Sequence, residues 1–302
     1  MQSEPCGVLV VNKHSGVTSH DIVYKIRKLF NTRRVGHTGT LDPMATGVLV
    51  VLIGRAAKAA EYLACDTKEY KATMRLGLES DTEDVTGEVL ARCDEIPDSE
   101  SVISCCKSFV GRIKQIPPMY SALKVGGKKL CDLARDGVTV ERQAREIEIF
   151  SLECIPTESK TDYTLQVKCS SGTYIRTLCA DIGKALGCGA VMASLERAAV
   201  ADFRIEDALS ICELEQMEQS VREAKLLPIE SLFAELQRVE LPAFYEKLSR
   251  NGCEIYQKKI RTDLPVGTKV RMRGCDGRFY ALGEVREYVD GSAIKTIKLF
   301  DI

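Results

Sequence analysis

The sequence of 302 residues lacks any long apolar run. No stretch of 18 or more apolar residues occurs, so no membrane-spanning helix is expected. The first residues, MQSEPCG, also lack the basic and then apolar order of a signal peptide. These two absences predict a cytoplasmic protein. An apolar content of 45% and a charged content of 28% are ordinary for a soluble globular chain, and the length favours two domains over one.

Cysteine is abundant, but the patterns that would give it a structural role are missing. The chain has 13 cysteines, an odd number, and contains no C-x-x-C spacing. Cys105 and Cys106 are adjacent, and the three histidines all precede residue 40 without pairing to a cysteine. These observations argue against a disulfide scaffold and against a zinc site. We therefore expect no metal, and we expect most thiols to be small buried apolar side chains.

An excess of positive charge is also missing. The formal net charge is −1, which argues against a uniformly basic nucleic-acid-binding chain. The charges are nevertheless segregated. Basic residues outnumber acidic residues by eight to three from Arg112 to Arg145 and by seven to two from Lys258 to Arg278, whereas nine acidic residues face one basic residue from Glu79 to Glu100. Either basic stretch alone could be a solvated face, but together, in a nearly neutral chain, the two stretches favour an RNA partner.

The segment GHTGTLDPMATGVLVV, from Gly36 to Val51, contains one carboxylate, Asp42, in a bend rich in Gly, Thr and Pro. A nearly continuous apolar run follows, which is typical of a buried strand. Asp42 is therefore expected on a tight loop anchored to the core, where a scaffold can hold a reactive side chain toward a ligand. Asp-Pro is also an ordinary turn initiator, so the spacing alone leaves a purely structural role open.

Two further predicted elements, a strand and a helix, each carry a side chain that can take part in binding or catalysis. From Lys68 to Leu76 the residues alternate, which predicts a strand with Tyr70 on its apolar face; a core tyrosine is the alternative. After the Gly172 turn, apolar residues at helical spacing predict a helix with Arg176 in its first turn. A cation there opposes the helix dipole, so a nearby anion is expected, although a solvated surface arginine is the other interpretation.

Apolar periodicity, caps and chain breakers predict several other elements. They are a strand at Val8–Asn12, a helix capped by Thr18 or Ser19, a short helix near Ala56–Leu63, helical structure around Ser210–Lys225 and a linker that begins at Leu227.

Two stretches indicate how the chain is organised. Residues 114–146 are rich in basic side chains, and the pairs Pro117-Pro118 and Gly126-Gly127 interrupt regular structure there. A short helix is expected over Lys128–Arg135, and Gly137 would end it. From about Leu241 to the end, short β-like runs alternate with turn signals. We expect an excursion from the main fold in the first stretch and a small β-rich domain in the second.

The motifs together resemble the TruB family of RNA pseudouridine synthases. The family pattern GHTGxLDPxATGxL matches the Asp42 segment, and the patterns K-x-Y, GTYIRxL and the leucine of L-R-R are matched at Tyr70, Arg176 and Leu195. The resemblance covers roughly residues 7–205. It implies an α+β pseudouridine synthase fold, in which a mixed, mainly antiparallel sheet is flanked by helices and followed by a small C-terminal β-rich, PUA-like domain.

The resemblance also implies domains, an activity and a partner. The catalytic domain would span residues 1–230, with a thumb-like RNA-binding insertion at residues 114–146, and a PUA-like RNA-binding domain would span residues 231–302. The implied activity is isomerisation of the T-loop uridine of tRNA, position 55, to pseudouridine through an essential Asp, with base flipping. The implied partner is the T-arm of tRNA. No cofactor, metal or membrane is implied, and we expect a monomer.

Each candidate site residue receives a role from the same resemblance. Asp42 is the catalytic carboxylate, either a nucleophile at C1′ or a base that yields a glycal, and the sequence does not choose between these. Arg176 pairs with Asp42, and Tyr70 stacks on the uracil and is a candidate for removing its C5 proton. The remaining contacts are Tyr174 and Leu195 in the uridine pocket, His37 in the gap left by the flipped uridine, and Lys13 and Lys58 facing phosphates.

The chain departs from the family pattern in three places, and two other functions stay open. The family's N-K-P, G-E-A-T-K and L-R-R are N-K-H, G-R-A-A-K and L-E-R here, and none of these changes removes a group that the chemistry needs. An RNA-guided pseudouridine synthase subunit is disfavoured by the near-neutral charge and the lack of basic tails. An RNA-folding chaperone without chemistry is disfavoured by the intact Asp42, Tyr70 and Arg176.

Overall fold

A computed structural model describes residues 4–63 and 67–300. Residues 1–3, 64–66 and 301–302, which include the outer ends of both expected domains, lie outside the described residues. The strands are β1 (Gly7–Lys13), β2 (Val35–His37), β3 (Thr46–Ile53), β4 (Lys68–Leu76), β5 (Leu78–Ser80), β6 (Val89–Arg92), β7 (Gly111–Gln115), β8 (Lys124–Val125), β9 (Lys128–Lys129), β10 (Arg145–Pro156), β11 (Asp162–Cys169), β12 (Ala190–Val200), β13 (Phe203–Arg204), β14 (Gln237–Glu240), β15 (Ile255–Tyr256), β16 (Lys269–Arg273), β17 (Phe279–Tyr288) and β18 (Gly291–Leu299).

Eight α-helices and three short 3-10 helices occur in the part of the chain that the structure describes. The α-helices are α1 (Ser19–Leu29), α2 (Ser99–Lys107), α3 (Leu130–Arg135), α4 (Ile175–Leu186), α5 (Ile211–Gln216), α6 (Gln219–Ala224), α7 (Ala243–Arg250) and α8 (Gln257–Ile260). The 3-10 helices are Gly54–Tyr62, Ile205–Asp207 and Ile229–Phe233.

The larger sheet has nine strands among the described residues. Its order is β1-β3-β12-β4-β11-β10-β7, with β2 paired to β3 and β13 paired to β12. Only the pair β3–β12 is parallel, so the sheet is mixed and mainly antiparallel, as predicted. Because β3, β12 and β4 are neighbours, the loop that leads into β3 lies beside side chains of the other two strands.

Helices pack against the sheet in two groups. Buried residues of α2 and α4, such as Val102 and Leu178, share a core with β4, β10, β11 and β12. Buried residues of α1 and α5, such as Ile22 and Leu214, pack against one face of β1 and β3. The α+β class predicted from the sequence, a mixed sheet flanked by helices, is confirmed.

A second sheet, of five strands, follows in the order β14-β16-β17-β18-β15. It is antiparallel apart from the β14–β16 pair. Phe233, Leu282 and Phe300 pack with Val8 and Val50 on the face of β1 and β3 that α1 does not cover. The β-rich C-terminal region predicted from the sequence is therefore present and packs directly on the first sheet.

Capping residues locate the start of α1. Thr18 Oγ1 accepts a hydrogen bond from the Asp21 N–H at 3.1 Å, while the Asp21 carboxylate accepts one from the Thr18 N–H at 2.8 Å. This reciprocal capping box makes Thr18 the cap and places Ser19 inside the protein, 2% exposed. Ser19 is thereby free to bind another segment.

The structure differs from two of the smaller expectations. The helical region around Ser210–Lys225 divides into α5 and α6, because the Met217 backbone is extended (φ −77°, ψ 142°). The prediction that a linker begins at Leu227 is wrong, because Leu227 pairs with β1. The Val8 N–H donates to the Leu227 carbonyl at 2.9 Å, and the Leu227 N–H donates to the Val8 carbonyl at 2.8 Å. An edge strand such as β1 leaves backbone groups unpaired, and this segment satisfies one pair of them.

The cysteines are more exposed than expected. Of the twelve in the described residues, only Cys106, Cys169, Cys179 and Cys188 are buried, and three are exposed. The expectation that most thiols are buried was wrong, because composition alone does not place a side chain on a helix or strand face. Among the described helices, none is both long and apolar enough to cross a bilayer.

We predict that Gly47→Ala strongly destabilises the protein. Gly47 has φ +100°, and a Cβ there would lie 2.3 Å from the carbonyl oxygen of Arg197 on β12. Because that oxygen belongs to backbone, we expect the free energy of unfolding to fall by about 3 kcal/mol. In the control, Gly187→Ala, φ is +76° but no atom lies within 4 Å, so we expect a loss of about 1 kcal/mol. Urea unfolding followed by circular dichroism compares the two, and equal losses would contradict the steric argument.

Candidate active site

The loop that carries Asp42 occupies residues 38–45, between β2 and β3. Ser19 of α1 holds its apex: the Leu41 N–H donates to Ser19 Oγ at 2.9 Å, and Ser19 Oγ donates to the Leu41 carbonyl at 3.2 Å. The Ala45 N–H donates to the Asp42 carbonyl at 3.0 Å and closes the turn. Leu41 is buried, whereas the Asp42 side chain is 32% exposed. The loop therefore turns its leucine into the core and leaves its carboxylate accessible.

Arg176, in the first turn of α4, meets this carboxylate. Its Nε is 2.9 Å from Asp42 Oδ2, and its Nη2 donates to Oδ1 at 3.3 Å. The arginine side chain is 6% exposed. The anion expected near this cation from its position at a helix N-terminus is Asp42. The two-point contact fixes the orientation of the carboxylate as well as its charge.

Arg176 has further partners that the sequence did not suggest. It donates to the carbonyls of Thr82 at 3.0 Å and Tyr120 at 2.8 Å, and its Nη1 lies 3.9 Å from Asp84 Oδ2. Asp84 is 5% exposed, and its Oδ1 accepts from the hydroxyls of Thr82 and Thr86 at 2.8 and 2.6 Å. Sequence reasoning counted Asp84 only as part of an acidic run. The flanking threonines of D-T-E-D-V-T were the available signal, since they mark a hydrogen-bonded turn.

The electrostatics of Asp42 suit a reactive carboxylate. Burial raises the pKa of Asp42, the charge of Arg176 opposes that rise, and the nearby Asp84 adds to it. A carboxylate with a raised pKa is a stronger base when it is ionised, and the paired arginine keeps it aimed. The geometry can therefore support proton abstraction or nucleophilic attack.

Apolar and aromatic side chains of β4 and β12 line the core beside the loop. Tyr70 and Leu195 are 9% and 8% exposed and belong to the same buried cluster as Leu41. Ala72, two residues after Tyr70, is the direct cross-strand partner of Leu195. Burial raises the pKa of the Tyr70 phenol, so its hydroxyl is protonated at neutral pH. The structure thus brings both predicted pocket residues to the apolar side of the Asp42 loop.

Tyr174 is the residue before α4 and is half-buried. Its N–H donates to Gln115 Oε1 at 2.8 Å, and its carbonyl accepts from Gln115 Nε2 at 3.1 Å. Gln115, the last residue of β7, is 1% exposed. This amide therefore fixes the entry of the helix that carries Arg176. Sequence reasoning missed it because a single glutamine before a proline pair carries no periodic signal.

Lys13 lies inside the protein, beneath the Asp42 loop. It is fully buried, and its Nζ donates to the carbonyls of Val17 at 2.8 Å, His14 at 3.0 Å and Pro43 at 3.2 Å. Burial lowers the pKa of Lys13 to about 8, partly opposed by the charge of Asp42. A lysine has three donors, and all are used here. Support of the loop fits this geometry better than the phosphate contact expected from the sequence.

Arg197 is a second buried cation at the loop. It is 1% exposed, its Nε donates to the Val48 carbonyl at 2.7 Å, and its Nη2 donates to the Gly39 carbonyl at 3.1 Å. It thereby ties the loop at Gly39 to β3 at Val48. Sequence reasoning noted the motif Leu195-Glu196-Arg197 only as a departure. Glu196 is exposed, as strand alternation requires, so the departure does not place an acid in the site.

The two remaining candidates occupy different surroundings. His37, at the end of β2, is half-buried, and its Nδ1 accepts from the Gly39 N–H at 3.2 Å. Burial lowers the pKa of His37, which keeps the imidazole neutral at pH 7. Lys58 is exposed on the 3-10 helix Gly54–Tyr62, and the structure does not bring it to the Asp42 pair. Within residues 4–63 and 67–300, no cluster of His, Cys, Asp or Glu could hold a metal ion.

Comparison with known proteins gives the family. The model of the TruB family pseudouridylate synthase N-terminal domain matches residues 27–175, and that of the tRNA pseudouridylate synthase B C-terminal domain matches residues 176–243. A protein of Alkaliphilus oremlandii named tRNA pseudouridine synthase B is 43% identical over 266 residues, which cover 87% of this chain and 88% of that protein. A Francisella philomiragia protein of the same name is 47% identical over 260 residues, 85% of this chain and 83% of its own length.

The fold has a counterpart among solved structures. A structure described as a Cbf5-Nop10-Gar1 complex matches with a TM-score of 0.75 at 27% identity, and the match covers 97% of this chain and 84% of the other. The two family models together span more than half of the chain and include the Asp42 loop and Arg176. The chain belongs to the TruB family of pseudouridylate synthases.

Proposed function

We propose that the protein isomerises a uridine of the tRNA T-arm, position 55, to pseudouridine, with Asp42 as the catalytic carboxylate. The observation that carries the proposal is the accessible Asp42 side chain held at 2.9 Å by the buried Arg176, in a chain of this family. Relatives at 43% and 47% identity carry the name tRNA pseudouridine synthase B. The likeness to the structure described as a Cbf5-Nop10-Gar1 complex is lower, at 27%, so the relatives named for tRNA carry more weight for the substrate.

The reaction makes defined demands on the site. The bond from uracil N1 to ribose C1′ breaks, C5 bonds to C1′ instead, and the C5 proton leaves while N1 gains one. The atoms of the nucleotide balance overall, so the site has to supply a carboxylate, a base that takes the C5 proton and a pocket that retains the free uracil. Asp42 either attacks C1′ or removes the 2′ hydrogen to form a glycal, and the geometry is compatible with both.

The neighbouring side chains supply the pocket. Tyr70 stacks on the uracil, Leu195 closes its apolar wall, and Tyr174 lines the entrance at the start of α4. Tyr70 and Leu195 share a buried cluster with Leu41 of the Asp42 loop, which supports this assignment, and a dry pocket would keep the detached uracil from escaping. The target nucleotide has to leave its stack to enter, and His37 fills the space that it leaves.

The RNA contacts extend beyond the pocket. We assign residues 114–146 as a thumb that closes on the T-arm and residues 231–302 as a PUA-like RNA-binding domain. The strands β7 and β10 are neighbours, so the excursion between them leaves and re-enters the sheet at one edge, as an inserted arm requires. The enzyme would act as a monomer, without a metal or cofactor, in the cytoplasm, where its tRNA substrate is found.

We predict that Asp42→Asn abolishes turnover without loss of RNA affinity. The amide is isosteric but lacks the charge needed as nucleophile or base, so we expect tritium release from C5-labelled tRNA to fall at least about a thousandfold. Asp94→Asn, at an exposed acid of the charged run, should leave release unchanged. If the wild-type protein binds tRNA tightly and releases no tritium, the enzyme proposal is wrong.

We predict a pH dependence that reports the Asp42–Arg176 pair. Asp42 has to be ionised, so the single-turnover rate falls as the pH drops through its pKa, which burial raises. In Arg176→Gln the counter-charge is gone and burial acts alone, so the rate should begin to fall at a higher pH than in the wild type. Arg176→Lys should lie between the two. Identical acid limbs in all three proteins would show that Asp42 is not the titrating group.

We predict that salt dependence separates Lys58 from Lys13. If exposed Lys58 contacts a phosphate, Lys58→Ala should reduce the slope of log affinity against log salt by about 0.7–0.9. Lys13→Met should leave that slope unchanged and lower the free energy of unfolding by about 1–3 kcal/mol, since three carbonyls lose their donor. A reduced slope in Lys13→Met would restore the phosphate role.

A further inference from the structure

The thumb, residues 114–146, contains two parts that differ in exposure. Its tip, residues 124–129, is the hairpin of β8 and β9, in which every residue is exposed and three are lysines. Its base, residues 115–121, lies against the protein, with Pro117, Pro118 and Ser121 buried. The tip is therefore free to contact RNA, whereas the base belongs to the packed structure around α4.

The thumb base supplies one of the hydrogen bonds that hold the Asp42–Arg176 pair. Arg176 Nη2 donates both to the Tyr120 carbonyl, at 2.8 Å, and to Asp42 Oδ1, at 3.3 Å. A guanidinium is planar, so the direction of one N–H bond of this nitrogen fixes the direction of the other. The arginine side chain is 6% exposed, which leaves little access for water to replace a lost acceptor. The position of the Tyr120 carbonyl therefore affects how Arg176 meets Asp42.

The hydroxyl of Tyr120 closes a chain of contacts around Arg176. It donates to Asp81 Oδ2 at 3.1 Å, and the next residue, Thr82, accepts from Arg176 Nη1 through its carbonyl at 3.0 Å. Asp81 is itself fixed, because its Oδ1 accepts from the Glu88 N–H at 2.8 Å. The Asp81 carboxylate also raises the pKa of the Tyr120 phenol, so the hydroxyl keeps the proton that it donates. The thumb base and the acidic turn thus hold Arg176 together and are bonded to each other.

We propose that Tyr120 is a positioning residue for the isomerisation: Asp81 holds its hydroxyl, which keeps its carbonyl on Arg176 and so keeps Arg176 aimed at Asp42. The proposal rests on the proposed function, in which Asp42 is the catalytic carboxylate. Docking of the thumb base is then a condition for full activity and not only a means of binding RNA. The two parts of the thumb have separate tasks, because the tip contributes affinity and the base contributes rate.

Displacement of the base changes the catalytic pair in a defined way. Without the Tyr120 carbonyl, one hydrogen of Arg176 Nη2 has no acceptor, and the guanidinium turns to recover one at the expense of the long contact with Asp42 Oδ1. The charge of Arg176 then opposes less of the rise in the Asp42 pKa that burial causes. The other charged groups that act on Asp42 are Asp84 and Lys13, and the substitutions in the test leave both in place.

The first test removes only the hydroxyl. Tyr120→Phe keeps the aromatic ring and the backbone carbonyl but cannot bond to Asp81. We expect single-turnover tritium release at saturating tRNA to slow by about tenfold, as for loss of one hydrogen bond to a charged group, with tRNA affinity unchanged. The rate should also begin to fall at a higher pH than in the wild type, because Arg176 holds Asp42 less well. A loss of stability alone would not move this acid limb.

The second test removes the partner of that hydroxyl. Asp81→Ala should also slow tritium release, and adding Tyr120→Phe to it should slow the reaction no further, because the shared hydrogen bond is already absent. Removal of the Asp81 charge would by itself lower the pKa of Asp42 and move the acid limb to lower pH. Displacement of Arg176 moves it to higher pH, so the direction of the shift separates positioning from a direct effect of charge.

Tyr62 provides the matched control. It is half-buried like Tyr120, and its hydroxyl donates to the Ile297 carbonyl at 3.3 Å, on the C-terminal sheet. Tyr62→Phe also removes one tyrosine hydroxyl with its hydrogen bond. It should leave both the single-turnover rate and the acid limb unchanged.

The possible outcomes separate the proposals. A slower Tyr120→Phe protein whose acid limb moves to higher pH, with no further loss in the Asp81→Ala background, supports the positioning role. A folded Tyr120→Phe protein with the wild-type rate, a slower one with an unmoved acid limb, or additive losses in the double variant overturn it. Weaker tRNA binding with an unchanged rate at saturating tRNA also overturns it and leaves Tyr120 as an RNA contact. Absence of tritium release from the wild-type protein would instead refute the proposed function.

Discussion

The site depends on one ion pair, between the Arg176 guanidinium at the start of a helix and the Asp42 carboxylate on a loop 134 residues earlier in the chain. A buried cation at a helix N-terminus is unfavourable unless an anion compensates it, and the loop supplies that anion. Asp84 and two backbone carbonyls complete the shell of the arginine. The helix, the Asp42 loop and the turn around Asp84 therefore have to be in place together.

The frame around this pair is built from buried cations bonded to carbonyls. Lys13 binds the loop from below through Pro43, and Arg197 binds the loop at Gly39 and the following strand at Val48. Burial costs these cations hydration, which is visible in the lowered pKa of Lys13, about 8. The result is a rigid loop in a positive environment. Such an environment favours an ionised Asp42 and opposes the rise in its pKa that burial causes.

The near-neutral net charge is compatible with this arrangement. Several cations near Asp42 are buried and donate to backbone carbonyls, so they add little to the electrostatic field at the surface that contacts RNA.

The substitutions relative to the family pattern also leave the surroundings of Asp42 unchanged. Glu196 points away from the site because it alternates with two buried neighbours, and His14 is exposed beside Lys13, with its Nδ1 2.8 Å from the Ser15 carbonyl. Neither substitution alters the groups that contact Asp42.

The sequence by itself determined several elements and the family of this protein. Apolar periodicity gave the strand with Tyr70 inward, the capping pattern gave the start of α1, and the motif around Asp42 gave the family. These are local properties, because a period or a cap is defined by residues a few positions apart. Tertiary structure decided which charges are buried and what they bind. Asp84, Gln115 and Arg197 joined the site, and Lys13 turned inward, because only the pairing of distant strands sets which polar groups meet in the core and need a partner there.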